Sequence, residues 1–358
     1  TSMTLIIAEA GVNHNGSDDL AFSLVDAAHQ AGADIVKFQT FKAKNLVTED
    51  AQQAEYQITN SGQKESQYSM LKRLELSYET HHKLVKYCND LGIEFLSTAF
   101  DSESLSFLVD DLRITRLKLP SGEITNAPLV LEHARTGCDL IVSTGMATLS
   151  EIEQVLSVIA FGYINPEGNP TDEALQASYS SEQGKQLLKE KVTLLHCTTE
   201  YPAPFNDINL NAMDTMKDAF KLAVGYSDHS EGIIVPVAAV AKGAVLIEKH
   251  FTINKNLPGP DHKASLDPQE LKAMVDGVRT VGKIMGDGIK GPRQSEVKNK
   301  NVARKSLVAE IAIEAGELFS ENNLAVKRPG SGINPVKYWH FLNKPSRKSY
   351  QAGDLIDE

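Results

Sequence analysis

Eight short runs rich in β-branched and other apolar residues recur along this chain, at residues 5–11, 34–40, 94–100, 116–123, 140–145, 192–197, 223–229 and 245–251. Most are separated by stretches whose apolar residues fall at helical spacing. The first such stretch, 18–32, places Leu20, Leu24, Ala27, Ala28 and Ala31 on one stripe and ends at Gly32. Comparable patterns occupy 79–91, 102–112, 127–136, 149–161, 210–220, 233–242 and 268–285. Strand and helix alternating eight times predict an α/β chain, a closed (β/α)8 TIM barrel of parallel strands. Chemistry in such barrels gathers at the carboxyl ends of the strands. Those ends here carry Glu9, Lys37, Thr98, Lys118 with Ser121 and Glu123, Ser143 with Thr144, Thr198 with Thr199, Asp228 with His229, and Glu248 with His250. An enzyme is expected.

The 358 residues exceed a barrel of roughly 250 by enough for a second module. A barrel over 1–285, a Gly-, Lys-, Asn- and Pro-containing linker over 286–300 and a small domain over 301–358 are predicted. The last has short runs at 305–309, 324–327 and 354–356 and should be β-rich. Two connections are long. Residues 41–78 follow the strand bearing Lys37 and predict a substrate-covering loop; residues 162–191 lead into the sixth strand and predict an ornament or interface element on the opposite face. A net charge of −11 argues against nucleic-acid or anionic-membrane partners. No apolar run approaches the ~20 residues of a membrane span and no signal-peptide pattern opens the chain, so a cytoplasmic location is expected. Three scattered cysteines, Cys88, Cys138 and Cys197, exclude a disulfide framework and are expected as buried thiols.

His229 and His250 close neighbouring strands, whose ends should lie roughly 5 Å apart, so the two imidazoles can share a cation. The two-residue period puts Ser227 with His229 and Glu248 with His250 on one face, and turns Asp228 away as a supporting partner. Ligand type alone leaves zinc, iron and manganese open. Lys37 and Lys118 lie inside apolar strands, where each needs an opposite charge. That charge is either an anionic ligand or an internal carboxylate such as Glu9 or Glu123. Thr98, Ser121, Ser143, Thr144 and Ser227 add hydroxyl donors at the same rim. Lys118 and Ser121 have opposite parity, so both face one pocket only if the strand breaks at Pro120. Glu9, Glu123 and Asp261 are candidate hydroxyl-binding or acid–base groups. Asn13 and His14 either contact substrate or shape their loop, and His196 with Cys197 reads as core.

Nine segments, in order, carry a resemblance: Ala8-Glu9-Ala10-Gly11-Val12-Asn13-His14-Asn15-Gly16, Val36-Lys37-Phe38-Gln39-Thr40, Ser97-Thr98-Ala99-Phe100, Pro120-Ser121-Gly122-Glu123, Ser143-Thr144-Gly145-Met146, Ser227-Asp228-His229, Glu248-Lys249-His250-Phe251-Thr252, Gly259-Pro260-Asp261 and Lys327-Arg328-Pro329-Gly330. Together they resemble the sialic acid synthase family over the whole chain, including its terminal antifreeze-like (SAF) domain. The resemblance implies condensation of phosphoenolpyruvate with an N-acetylated mannosamine, first of all N-acetylmannosamine, to a nine-carbon 2-keto acid and phosphate. The alternative is a legionaminate or pseudaminate synthase acting on a 2,4-diacetamido-trideoxy hexose. By the family's motifs, Lys37, Thr98, Lys118, Ser121, Ser143 and Ser227 would hold phosphoenolpyruvate, and His229 and His250 a Mn2+ or Mg2+ ion. Glu123 would act on the attacking water, and Glu9, Tyr201 and Asp261 would hold the sugar. Arg328 would reach the N-acetyl group in a partner's barrel, making a domain-swapped homodimer. Thr198-Thr199 departs from the asparagine usual before the tyrosine motif, and Ala99 from a frequent proline. A metal-dependent aldolase or isomerase, and a degenerate barrel carrying an ice- or carbohydrate-binding module, are the competing readings; neither calls for two lysines in apolar strands.

Overall fold

Residues 3–51 and 65–358 are described by the structure, a computed structural model. The strands β1 (Leu5–Gly11), β2 (Ile35–Thr40), β3 (Glu94–Ala99), β4 (Arg116–Leu119), β5 (Asp139–Ser143), β6 (Val192–His196), β7 (Ala223–Asp228) and β8 (Leu246–His250) follow one another around a closed barrel. Every pairing is parallel, and β8 returns to β1 with Glu9 opposite His250.

The pleat explains where the site lies. Ile7, Ile35, Leu96, Ile141, Leu195 and Leu246, from six strands, form an apolar cluster of their own. Two residues downstream in each of these strands, the same inward face carries Glu9, Lys37, Thr98, Ser143, Cys197 and Glu248. The apolar layer plugs the barrel, and the polar layer stands on it at the carboxyl end. The alternate positions point outward: Ile6, Val36, Phe95, Val142, Leu194, Val224 and Ile247 pack in the main core between strands and helices.

Local signals set the helices around the barrel. Ser17 accepts from Leu20 N to start Asp18–Ala31, and Gly32 ends it at φ 88, a left-handed conformation that a side chain would oppose. Capping boxes at Thr148 and Asp267 start Leu149–Ile164 and Pro268–Ile284. Residues 102–112, read as one helix, divide into Ser102–Ser106 and a π turn over Phe107–Asp111. The wider turn accompanies a face-to-face stack of Phe107 on Tyr78, 3.8 Å between centroids.

Both long connections contain helices. After β2, Ala43–Leu46 and Gln67–Arg73 flank residues 52–64, the part of the expected covering loop that lies outside the described residues. Met70 and Leu74 are buried with Val12 and Phe41, so the described flanks form a packed wall. Before β6, the helices Asp172–Ser180 and Glu182–Lys191 pack with Leu149–Ile164, and Lys191 runs straight into the amino end of β6.

The chain divides into two compact units, Thr1–Gly286 and Asp287–Glu358. In the second, β9 (Ser306–Ala309) pairs antiparallel with β10 (Leu324–Lys327) over a core that includes Leu307, Ile313, Phe319, Leu324, Tyr350 and Ile356. The run at 354–356 contributes a single bridge, Leu355 to Val308. Within the stretch read as linker, Gln294–Ala303 is helical and exposed; Gly286, Gly288, Gly291 and Pro292 all precede it and leave it uninterrupted. No described helix is long and apolar enough to cross a membrane. The three cysteines are free; Cys88 and Cys197 are buried and Cys138 is half-buried.

Candidate active site

A cavity of about 400 Å3 opens above the polar layer. It is lined by Glu9, Lys37, Thr98, Lys118, Ser121, Glu123, Ser143, Tyr201, Ser227, His229, His250 and Asp261, so all but one of the residues that the family's motifs assign to the site meet in one place; Thr144, expected at the same rim, follows the pleat to the other face, where its hydroxyl donates to the Leu195 carbonyl at 2.8 Å. The parity problem at β4 is resolved by its ending at Leu119: Pro120 is extended, Ser121–Glu123 forms a 3-10 turn, and Lys118 and Ser121 both face the cavity. Arg328 is the exception. It follows β10 in the second unit, exposed, with Nε donating to the Ala303 carbonyl at 3.1 Å.

The two lysines are paired internally, Lys37 with Glu9, one of the two carboxylates expected, and both with Glu248, which was not among the expected partners. Lys118 Nζ lies 3.0 Å from Glu248 Oε1, Lys37 Nζ 2.7 Å from Glu9 Oε2 and 3.4 Å from Glu248 Oε2. Glu248 also accepts from Ser227 Oγ at 2.8 Å, while Lys37 donates to Thr98 Oγ1 at 2.8 Å. Glu123 accepts instead from Asn126 Nδ2 at 2.9 Å. The sequence signals for Glu248 were its place at the carboxyl end of a strand, its shared parity with His250 and its motif.

Electrostatics separate the two acids. Burial pushes Glu248 upward, but the ammonium groups of Lys118 and Lys37 and the Ser227 hydroxyl outweigh it and hold the carboxyl well below the usual range. For Glu9 burial dominates; even against Lys37 it is pushed up to about 7, helped by the Glu248 charge. Burial lowers Lys118, whereas for Lys37 the carboxylates of Glu248 and Glu9 overcome burial and raise it. Drawn toward its neutral form, Glu9 balances the two lysines less than an ordinary carboxylate would, in a low-dielectric setting. An anion fits it. Glu9 Oε1 and Ser143 Oγ are buried with no hydrogen-bond partner, which leaves polar valence for a ligand.

The histidines stand with ring centroids 5.9 Å apart and planes at 68°. His229 Nδ1 is 2.6 Å from the Thr198 carbonyl. A carbonyl only accepts, so Nδ1 carries the proton and Nε2 presents its lone pair, to which the Tyr201 hydroxyl donates at 2.8 Å. Burial lowers His229 to about 4; burial and the neighbouring His229 put His250 well below its ordinary value. Both are neutral near pH 7, the form that binds metal. Among the described residues no three His, Cys, Asp or Glu side chains form a metal-holding group. Two neutral imidazoles side by side are nonetheless the donor chemistry that a divalent cation accepts, and Tyr201 would have to yield His229 Nε2 to it.

Around this centre, Tyr201 stacks on His229 at 4.1 Å. Asp261 is half-buried at the cavity wall, and burial pushes it up to about 6. A Cβ on Gly145 would come 2.3 Å from Thr199 Oγ1, so only glycine lets the β5 and β6 ends approach; its N–H donates to Ser121 Oγ. Asn13 ties its loop to the Phe251 carbonyl and Ser265, and buried His14 accepts from Gly16 N, so both shape the loop. His196 is bonded to the Ile208 carbonyl, while Cys197, read as core, is buried yet reaches the cavity. Leu46, Val47, Met70, Leu71 and Leu74 also line it, an apolar side that no motif announced.

A model of the NeuB family matches residues 24–290. The chain is 50% identical over 355 residues to N,N'-diacetyllegionaminic acid synthase of Campylobacter jejuni, covering 99% of each chain. It is 44% identical to the enzyme of that name from Legionella pneumophila, covering 99% of this chain and 94% of the other. Among solved structures, the N-acetylneuraminic acid synthetase of Leptospira borgpetersenii is similar at a TM-score of 0.66 and 31% identity, covering 83% of this chain and 90% of that one. The order of these identities favours the diacetamido alternative over the N-acetylmannosamine reading placed first from the sequence.

Proposed function

The chain belongs to the NeuB family of nonulosonic acid synthases, and from that premise we propose that it joins phosphoenolpyruvate to a 2,4-diacetamido-trideoxy hexose in its open-chain aldehyde form. The products are a nine-carbon 2-keto acid and phosphate. The observation that carries this reading is the pair of buried ammonium groups sharing Glu248 beside two neutral imidazoles.

In this reading Lys37, Lys118, Thr98, Ser121, Ser143 and Ser227 hold the phosphate and carboxylate of phosphoenolpyruvate. His229 and His250 hold a divalent cation, Mn2+ or Mg2+, which when bound supplies Lewis-acid polarisation of the aldehyde oxygen. The cavity walls bring the enol carbon to the aldehyde carbon, and a carbon–carbon bond forms between them. Glu123, anchored by Asn126, orients the water that attacks C2 of the resulting oxocarbenium and accepts its proton. The tetrahedral adduct then expels phosphate, which carries off the C2 hydroxyl proton as the keto group forms, while the proton taken from water passes to the oxygen of the former aldehyde. Glu9, Tyr201 and Asp261 receive sugar hydroxyl and amide groups. The half-buried apolar side chains of Leu46, Val47 and Leu71 suit the methyl groups of an acetamido, deoxy sugar better than a polyhydroxylated tail.

Phosphate release measured with the diacetamido-trideoxy acceptor and with N-acetylmannosamine, each with and without chelator, tests the proposal. We expect at least a tenfold preference in kcat/KM for the former and loss of turnover on chelation, reversed by Mn2+. Preference for N-acetylmannosamine would overturn the acceptor, and phosphate-independent cleavage or isomerisation of the sugar would favour a metal-dependent aldolase or isomerase. The same proposal assigns the second unit as an antifreeze-like module whose Arg328 reaches the acceptor's N-acetyl group in a partner's barrel, within a domain-swapped homodimer.

A further inference from the structure

On the outer face of β7 and β8, Asp228 and Lys249 form an ion pair, and each residue immediately precedes one of the two histidines. The two are register partners, Asp228 opposite Lys249, directly after Ser227 opposite Glu248 on the inner face. Both are almost fully buried. Their outward neighbours on the same strands are apolar: Val224, Tyr226 and Ile247 belong to the core between strands and helices.

The pair's hydrogen bonds converge on the segment around His229. Lys249 Nζ donates to Asp228 Oδ2 at 2.6 Å and also to the Ser230 carbonyl. Asp228 Oδ1 accepts from Ser230 N at 3.1 Å and from Ser230 Oγ at 2.8 Å, and Oδ2 accepts from the same hydroxyl at 2.9 Å. The residues before and after His229 are thus tied to one side chain on β8. His229 is further held by Ala203 N donating to its carbonyl at 2.8 Å and by Thr198 at its ring.

Stability alone does not call for charge at this position. A buried pair loses two hydration shells, and a well-packed apolar pair of similar volume is often as stable or more so. What a salt bridge adds and an apolar pair lacks is a fixed direction and length. We propose that Asp228 and Lys249 are positioning residues, a sealed clasp that locks β7 to β8 one residue before each histidine and so sets the separation and aim of the two imidazoles toward the cation. This rests on the metal reading above.

The test measures Mn2+ binding by titration of the purified protein, and phosphoenolpyruvate binding in the presence of chelator. Lys249→Met alone leaves a buried carboxylate unpaired and is expected to lower Tm. Lys249→Met combined with Asp228→Asn removes both charges while the amide keeps an acceptor and a donor for Ser230. Ser230→Ala leaves the pair intact and cuts its hydroxyl link past His229. The double variant is expected to bind Mn2+ about 10–100-fold more weakly, the range typical of groups that orient metal ligands. Ser230→Ala should weaken it several-fold, with metal-free phosphoenolpyruvate affinity unchanged in both. Should the double variant not fold, Ser230→Ala carries the test. Wild-type Mn2+ affinity in the folded variants would overturn the clasp, as would equal losses of Mn2+ and phosphoenolpyruvate binding. His250→Ala separates the two hypotheses: if it binds Mn2+ as wild type does, or wild type has no saturable site, the metal reading itself falls.

Discussion

Two buried charge clusters meet the ribbon of β7 and β8, one on each face, and their construction differs. On the inner face, Lys118 and Lys37 share Glu248, Glu9 is held up to about 7, and Glu9 Oε1 and Ser143 Oγ lack partners beside an open cavity. On the outer face, both oxygens of Asp228 are occupied by Lys249 and Ser230, and neither charged residue reaches the cavity. Burial of charge is costly in both places. The lesson lies in the spare valence: a cluster with unpartnered polar atoms beside a cavity has room for a ligand, whereas one closed on itself and on its own turn holds other groups still.

The largest expected effect breaks the inner cluster. Lys118→Ala should reduce kcat/KM for phosphate release by at least about 100-fold, as loss of a charged donor at a reacting anion does, while Glu248 retains Lys37 and the fold survives. Near-normal turnover in a folded variant would remove Lys118 from anion binding and erase the contrast.

The same variant sharpens the picture when mixed with another. If Arg328 acts in a partner's barrel, co-folding Lys118→Ala with Arg328→Ala subunits rebuilds one intact site in each mixed dimer. About a quarter of wild-type activity should return from two inactive proteins. A mixture as inactive as its parents would place Arg328 within its own barrel, and an active Arg328→Ala parent would remove it from the reaction.

The smallest effect concerns Glu9. Its folded pKa of about 7 exceeds the ordinary 4.5, so the folded state retains a proton that the unfolded chain loses between those values. Its contribution is therefore fully present below pH 4.5 and is lost as pH rises through 7. Glu9→Gln should flatten the fall in unfolding free energy between pH 5 and pH 8 by on the order of 1 kcal/mol. Identical slopes in denaturant titrations of the two proteins would show that Glu9 is not held protonated by its surroundings.

Much of the barrel was written locally. Alternation along each strand is a property of the backbone pleat, so the inward face of Ile7 and Glu9, of Ile35 and Lys37, or of Leu246, Glu248 and His250 follows from counting by two. So does the need for a break at Pro120 if Lys118 and Ser121 are to face one pocket. Which inward groups meet is another matter. Lys118 on β4 reaches Glu248 on β8 across the barrel interior, 130 residues away in the chain, and that pairing depends on closure and strand tilt, which no local pattern encodes. The apolar cavity wall of Leu46, Val47, Met70, Leu71 and Leu74 and the clasp of Lys249 on the turn after Asp228 were likewise decided by packing. Sequence determined the faces, because they repeat with the backbone; tertiary structure alone decided the partners, because a buried charge is satisfied by whatever the closed barrel brings within reach.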